Sequence, residues 1–552
     1  MQLRGWLLSI TAILLFQPVF AQKVSEKKVV RQLKKDIGYL ASDKLEGRRT
    51  GSEGEKLAAD YIIKYYTSEG ISGYKGKYLY PFTFTIGRSK GTNTRIVVNG
   101  TELKKSKLAY PLAFSGNGKV QGEAIPGVME HGRIWLVPMY ADEEEAKDAH
   151  FNWEKSAFER SQEAIKTGAT AVVFYDQYNA KYPAEFNKRT EYEALSVPVA
   201  YITYDGYLQY MNTDKQEAMP SVLLELDTDL KDKKLTGNNI LAYINNNAKY
   251  TVVLGAHYDH LGHGEDGNSL HAAKDGSIHN GADDNASGTA ALMQLATRIK
   301  DAGLKNYNYV FMHFSAEELG LIGSKKIVEE LGLDSNNVAY MINMDMVGRL
   351  NDSTHALTVG GVGTSPAWGK VVNKDDERFK IGIDSSGVGP SDHSSFYYKG
   401  IPVLFFFTGT HTDYHKPSDD ADKINYQGQA QIMDYIYTIT AKMDAMPKPA
   451  YTETKQPKVG KVRFKVTLGV MPDYSFNDGG LRIDGVTDGR PAAKAGLKGG
   501  DIIVQMGEHE IRGIQTYMEA LGAFEEGDKT TITIMREGKK MTMPLEFTPK
   551  EK

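Results

Sequence analysis

Two histidines and a set of carboxylates stand at fixed places beside the apolar runs of the second half of this 552-residue chain. The run Thr251 to Gly255 ends in Ala256-His257-Tyr258-Asp259, and the run Tyr309 to Phe314 ends in Ser315-Ala316-Glu317-Glu318. Tyr340 to Met344 leads to Asp345, and Pro402 to Phe407 opens into Thr412-Asp413-Tyr414-His415. A fifth segment, Gly281-Ala-Asp-Asp284-Asn-Ala-Ser-Gly288, is a glycine-flanked acidic turn. A lone Glu-Glu pair is usually solvated surface, and a lone strand-end histidine usually a satisfied polar residue. Two imidazoles and three carboxylates gathered at one place are different. They match the nitrogen and oxygen donors that zinc prefers, and five ligands with one shared carboxylate are what a two-metal site requires. The chain has no cysteine, so thiolate ligands, disulfides and lipidation at cysteine are all excluded.

For these segments to meet, the runs must be neighbouring strands with their carboxyl ends along one edge. From Asn239 onward the pattern alternates strand and helix, which predicts a mostly parallel mixed α/β sheet with helices on both faces. Ala290 to Ile299 places Leu292, Leu295, Ala296 and Ile299 on one helical face, as a crossover helix between the first two strands would. Ligands of such sheets collect outside the carboxyl ends of the strands. Upstream, Val24 to about Gly70 reads as two helices joined by the loop Leu40 to Ser52. Residues 73–236 read as a β-rich insert, with Arg133 to Pro138 and Ala171 to Tyr175 as strands. The peptidic core is thus expected in two pieces, 22–72 and 237–445. Residues 446–458 are proline-rich and charged, as a linker is, and 459–550 return to short strands with one helix.

Residues 41% apolar and 25% charged, with net charge -4, describe a globular chain without the basic footprint of a nucleic-acid binder. Arg4, the apolar run Trp6 to Phe16 and Val19-Phe20-Ala21 have the order of a secretory signal peptide over 1–21. The run is shorter than the roughly 20 residues of a membrane span, and no transmembrane segment is expected after cleavage. Export to the periplasm or the medium is the expected setting.

The order His-x-Asp, Asp-(Asp/Asn)-x-Ser-Gly, Glu-Glu, Asp and His, with Leu45-Glu-Gly-Arg-Arg-Thr-Gly51, Asn343 to Arg349 and Tyr414-His415, resembles the M28 family of co-catalytic zinc aminopeptidases. The resemblance implies the zinc aminopeptidase (phosphorylase/hydrolase-like) fold and two Zn²⁺ per chain. It implies that Asp284 bridges both, that Glu318 and His415 complete one, and that His257 and Asp345 complete the other. Glu317 is then the general base, because a ligating carboxylate cannot take a proton from water and return it to the leaving amine. Asp259 matches a carboxylate that orients the His257 imidazole. Tyr414 would donate to the developing oxyanion. Asp392 and His393 lie in a family motif near the substrate and are not assigned as ligands. His260, His263, His271 and His279 are read as part of a solvated loop beside the site.

The insert resembles a protease-associated (PA) domain in Ala164 to Tyr175 and Ser196 to Ile202. The tail resembles a PDZ domain, with Leu468, Gly469, Val470 and Met471 as its carboxylate-binding loop and Arg490 to Ile503 as its strand-turn segment. Such a groove would capture a C-terminal peptide by strand addition. The expected activity is aminopeptidase cleavage of peptides with a free N-terminus. Carboxypeptidase action would need a cationic pocket, for which no residue is assignable; glutaminyl cyclase chemistry uses one zinc; a non-catalytic peptide-binding scaffold would not need Glu317. Zinc itself is inferred from ligand type, since Co²⁺ or Mn²⁺ suit similar donors.

Overall fold

The computed structural model describes residues 26–103, 107–148, 151–188, 190, 192–212, 221–271, 273, 275–454, 466–472 and 479–547. The expected signal segment and residues 455–458 of the expected linker lie outside them.

The apolar runs of the second half become strands Thr251–His257, Asn308–Phe314, Val338–Met344 and Val403–Phe407. They pair in parallel, with Asn308–Phe314 and Val338–Met344 on either side of Thr251–His257, and Val403–Phe407 beyond Val338–Met344. Flanking strands Leu230–Ile244 and Ala356–Gly360 run antiparallel to this group, so the nine-stranded sheet is mixed. Both faces are covered, which is why these strands read as nearly unbroken apolar runs instead of alternating ones. Val252, Leu254, Phe311, Ile342 and Phe406 face a core shared with helices Glu26–Leu40, Glu53–Ser68, Gly288–Ala302 and Tyr426–Asp444. Val253, Val310, Met312, Met341 and Val403 face the opposite core, with Ile327 and Phe396 from helices Ile322–Glu330 and His393–Tyr397. The crossover helix Gly288–Ala302 ends at Gly303, whose left-handed φ of 66° lets its N–H reach back to Ile299 and Lys300.

Register aligns the strand ends. His257 lies opposite Phe314, and Gly255 opposite Asn343, which itself faces Phe405. The segments that follow these residues therefore leave the sheet from one edge.

Strands Leu79–Lys90 and Leu230–Ile244 form a long antiparallel pair with a bulge at Lys233/Lys234. One end joins the large sheet and the other carries the insert, so position 236 falls within a strand that serves both. Between them are two four-stranded sheets and the helix Trp153–Thr167. The tail builds a six-stranded antiparallel sheet with helices Pro491–Lys494 and Ile514–Gly522. It meets the body through Lys416 and Asp488, 3.1 Å apart, and Lys181 and Glu525, 3.4 Å apart. A cavity of about 80 Å³ separates Leu270, His411 and Tyr414 from Val486 and Leu497 of the tail.

Gly323, in the first turn of helix Ile322–Glu330, backs directly onto the strand end at Ser315. An added Cβ would lie 2.0 Å from the Ser315 carbonyl oxygen and 2.6 Å from Asn239 Oδ1. Gly323→Ala should therefore lower unfolding free energy by about 1–3 kcal/mol in denaturant titration, the reverse of its helix-propensity gain.

Candidate metal centre

His257 ends its strand with its side chain 1% exposed. Its Nδ1–H donates to the Asp259 carbonyl oxygen at 3.2 Å. That bond fixes the tautomer and leaves the Nε2 lone pair facing Asp284 Oδ1 at 3.2 Å and Asp345 Oδ1 at 3.3 Å. His415 repeats the arrangement. Its Nδ1–H donates to the Asn268 carbonyl at 2.8 Å, and Nε2 faces Glu318 Oε2 at 3.1 Å and Asp284 Oδ2 at 3.3 Å. Two clusters of mutually facing acceptors thus share Asp284, one carboxylate oxygen each. Acceptors buried against acceptors are repulsive unless a proton or a metal cation stands between them. For bonds of about 2.0–2.1 Å, the edge of a tetrahedral zinc site is about 3.3 Å, close to the spacings found. The residues therefore fit a pair of small N/O-bound cations.

The electrostatics carry the same demand. Burial opposes charge on His257, yet Asp345 and Glu317 push its pKa well above the ordinary value, and Glu318 and Asp284 do the same for His415. Asp284 is held well below the carboxylate range against its burial, by His257, His260 and His415. Adjacent carboxylates diverge: burial raises both, but His415 and His260 bring Glu318 down to about 2, whereas burial with Asp345 and Asp392 nearby keeps Glu317 well above its ordinary value despite His257. Glu317 belongs to neither cluster. The strand end allows this separation because Ala316 turns the chain at a left-handed φ of 54°.

A clamp from the loop before helix Glu53–Ser68 fixes these ends. Arg48, wholly buried, donates to the carbonyls of Leu40, Tyr258, Asn280 and Gly281 at 2.6–2.9 Å. Thr50 donates to Asp259 Oδ2 at 3.1 Å and accepts from the Ala316 N–H at 3.0 Å. Glu55 accepts from Ser315 Oγ at 2.6 Å and from the Asn238 N–H at 3.0 Å. Asp419, also buried, accepts from the N–H groups of Asp283 and Asp284 at 2.9 and 3.1 Å. Ser391 donates to Asp345 Oδ2 at 2.7 Å and accepts from Asn343 at 2.8 Å.

Two expectations change. Asp259 approaches His257 Nδ1 more closely through its backbone carbonyl, at 3.2 Å, than through its carboxylate, at 3.7 Å, and that carboxylate also accepts from Thr50 and from the Glu317 N–H at 3.2 Å. Its side chain thus sets the turn that carries Glu317. The histidines after Asp259 are not one solvated loop. His263 is exposed, but His260 and His279 are buried, and His260 reaches Glu318 because the chain folds back under Arg48. Tyr414 stacks on His415 with ring centroids 4.0 Å apart, and burial beside Asp284, Glu318 and Glu317 holds its hydroxyl well above its ordinary pKa. Asp392 is buried immediately before helix His393–Tyr397, and His393 stacks on Phe405 at 4.5 Å. In the tail, the carbonyls of Leu468 and Gly469 accept from Ala492 and Thr487, and Val470 pairs with Val486. Met471 continues that strand. Sequence reading missed the roles of Arg48, Thr50, Glu55, Ser391 and Asp419; for Arg48 and Thr50 the signal was present in Leu45 to Gly51, noted there only as a family likeness.

Among proteins of known family, the model of peptidase family M28 matches residues 239–440, and that of the PDZ domain matches 464–546. The leupeptin-inactivating enzyme 1 of Streptomyces exfoliatus is 35% identical over 158 residues, 26% of this chain and 32% of that protein. Aminopeptidase YwaD of Bacillus subtilis is 27% identical over 328 residues, 56% of this chain and 63% of that one. The chain thus spans about a third and just under two thirds of these two relatives' lengths. The solved aminopeptidase from Aneurinibacillus sp. strain AM-1 overlaps 79% of this chain and 98% of its own, at 21% identity and a TM-score of 0.42. The chain carries a peptidase family M28 domain followed by a PDZ domain.

Replacing Arg48 by Met would strand four buried carbonyls. Arg48→Met should cost at least about 3 kcal/mol of unfolding free energy. Arg48→Lys should recover only part, since an ammonium cannot span the four acceptors, and equilibrium denaturation of the three proteins checks both.

Proposed function

We propose that this M28 peptidase domain is a two-metal exopeptidase, most simply an aminopeptidase, with zinc held by His257, Asp284 and Asp345 on one side and by Asp284, Glu318 and His415 on the other. The observation that carries the reading is the pair of acceptor clusters that share Asp284 while leaving Glu317 outside both. When bound, the two cations would supply the charge that acidifies an attacking water and polarises the scissile carbonyl.

The chain's own residues handle protons and position. Glu317, with its carboxyl pushed upward by burial and by Asp345 and Asp392, is a base poised to take the water's proton and to return it to the leaving amine. Asp259 and Thr50 hold the turn that aims it. Tyr414 keeps its proton among the carboxylates and offers an O–H to the carbonyl oxygen as negative charge develops there.

Aminopeptidase action is favoured over carboxypeptidase action by the state of the nearby cations. Arg349 is engaged by Asp413 at 3.2 Å and Lys416 by Asp488 at 3.1 Å, so neither is a ready partner for a terminal carboxylate. The name of the Bacillus relative supports the same direction. We assign the insert, through its PA-like motifs, to flanking the cleft, and Leu468 to Met471 of the PDZ domain to a peptide C-terminus. Export to the periplasm or beyond follows from the signal-like segment 1–21, and no helix among the described residues is long and apolar enough to cross a membrane.

Glu317→Gln should retain wild-type metal content but lose about 10²–10⁴-fold in kcat, as measured by metal analysis alongside peptide turnover. Loss of metal instead would reverse the roles of Glu317 and Glu318. On matched peptides, N-terminal acetylation should abolish cleavage; equal rates on free and acetylated forms would overturn the aminopeptidase assignment.

A further inference from the structure

His260 lies three residues beyond His257 and outside the five-ligand set, yet its side chain is completely buried. Its Nδ1 is 2.7 Å from Glu318 Oε1, and its ring packs edge-on to that of His415 with centroids 5.8 Å apart. The ring is gripped from both sides of the chain. Its backbone N–H donates to the Arg48 carbonyl at 3.3 Å. Gly281, at φ 55°, leaves the space the imidazole fills, and a Cβ there would come within 2.4 Å of His260 Cδ2. A histidine that merely fills space would satisfy both nitrogens or expose one. Here Nε2 is buried without a hydrogen-bond partner, and the single side-chain hydrogen bond of the ring goes to Glu318.

We propose that His260 is a positioning residue for Glu318: its Nδ1–H holds Oε1, so that only Oε2 faces the second metal cluster. The inference rests on the metal reading above and assigns a duty within it. Distances separate this role from direct ligation. Co-ligands of one tetrahedral zinc stand about 3.3 Å apart, the spacing that His415 Nε2 keeps to Asp284 Oδ2. His260 Nδ1 is too close to Glu318 Oε1, at 2.7 Å, and too far from Asp284 Oδ2, at 3.8 Å. A contact of 2.7 Å between imidazole N–H and carboxylate is a charge-assisted hydrogen bond. It assigns one oxygen of Glu318 to the protein and the other to the cluster. His257 and Asp345 have no such contact with His260, so the effect is confined to one of the two clusters.

The test uses the full chain, stripped with a chelator and titrated with Zn²⁺ by calorimetry and equilibrium dialysis. Wild type should take two equivalents. His260→Ala should keep one at wild-type affinity and bind the other about 10–100-fold more weakly, the usual effect of removing a group that orients a ligand. His260→Asn, whose amide N–H can replace Nδ1–H, should restore most of that loss. Both equivalents unchanged in His260→Ala, or His260→Asn as weak as His260→Ala, would overturn the proposal. Because either variant could fail to fold, X-ray absorption of the dizinc wild type gives an independent readout. One imidazole per zinc on average supports the proposal, and more than one shows that His260 ligates and sinks it. A wild type that takes up no Zn²⁺ at all would overturn the underlying metal reading along with this one.

Discussion

A guanidinium with no solvent contact organises this molecule's working edge. Arg48 has no carboxylate bonded to it, and its N–H groups end instead on four main-chain carbonyls that belong to three separate segments. Two of those segments deliver His257 and Asp284, and the third is the end of the first helix. Burial pulls the group's pKa down to about 10, while the field of Asp284, Asp259, Asp419 and Glu318 pulls the other way. The charge is thus stabilised by the same anionic cluster that it helps assemble. Arg48 joins the strand end and the acidic turn alongside Thr289, which donates to the His257 carbonyl, and Asp419, which holds the Asp284 N–H.

Around that anchor, chemically similar groups acquire different tasks from their surroundings. Glu317 and Glu318 are neighbours in sequence and both half-buried. Imidazoles beside Glu318 bring its pKa down, whereas burial and the further carboxylates beside Glu317 raise its affinity for a proton. Divergent environments of this kind separate groups that hold charge from groups that move protons. The left-handed turn at Ala316 is the backbone device that sends the two side chains apart.

The sheet and the convergence of five His, Asp and Glu side chains were legible in the sequence because they rest on strong local signals. Buried parallel strands produce long apolar runs, and ligands concentrated after such runs can be seen without knowing what lies beside them. The supporting layer was not legible, because it acts over long range. Arg48 contacts residues more than 200 positions away, and Asp419 reaches back to Asp284 across 135. His260 looked like one more histidine in a glycine- and histidine-rich loop, since nothing in its own neighbourhood announces that Gly281 makes room for its ring. Asp259 had the right spacing for its expected role, but the spacing alone did not show that its main-chain carbonyl comes nearer the His257 ring than its carboxylate does.

The two oxygens of Asp284 face different clusters, and two cations held there would be coupled through that one carboxylate. Whatever factor a cation in one imposes on affinity in the other, the second must return in full, because linkage between two binding equilibria is reciprocal. A single carboxylate rotating toward one side is lost to the other. On the two-metal reading proposed above, uptake of the second cation would accordingly depend on the first, whereas the first to bind would meet a cluster whose neighbour is still empty.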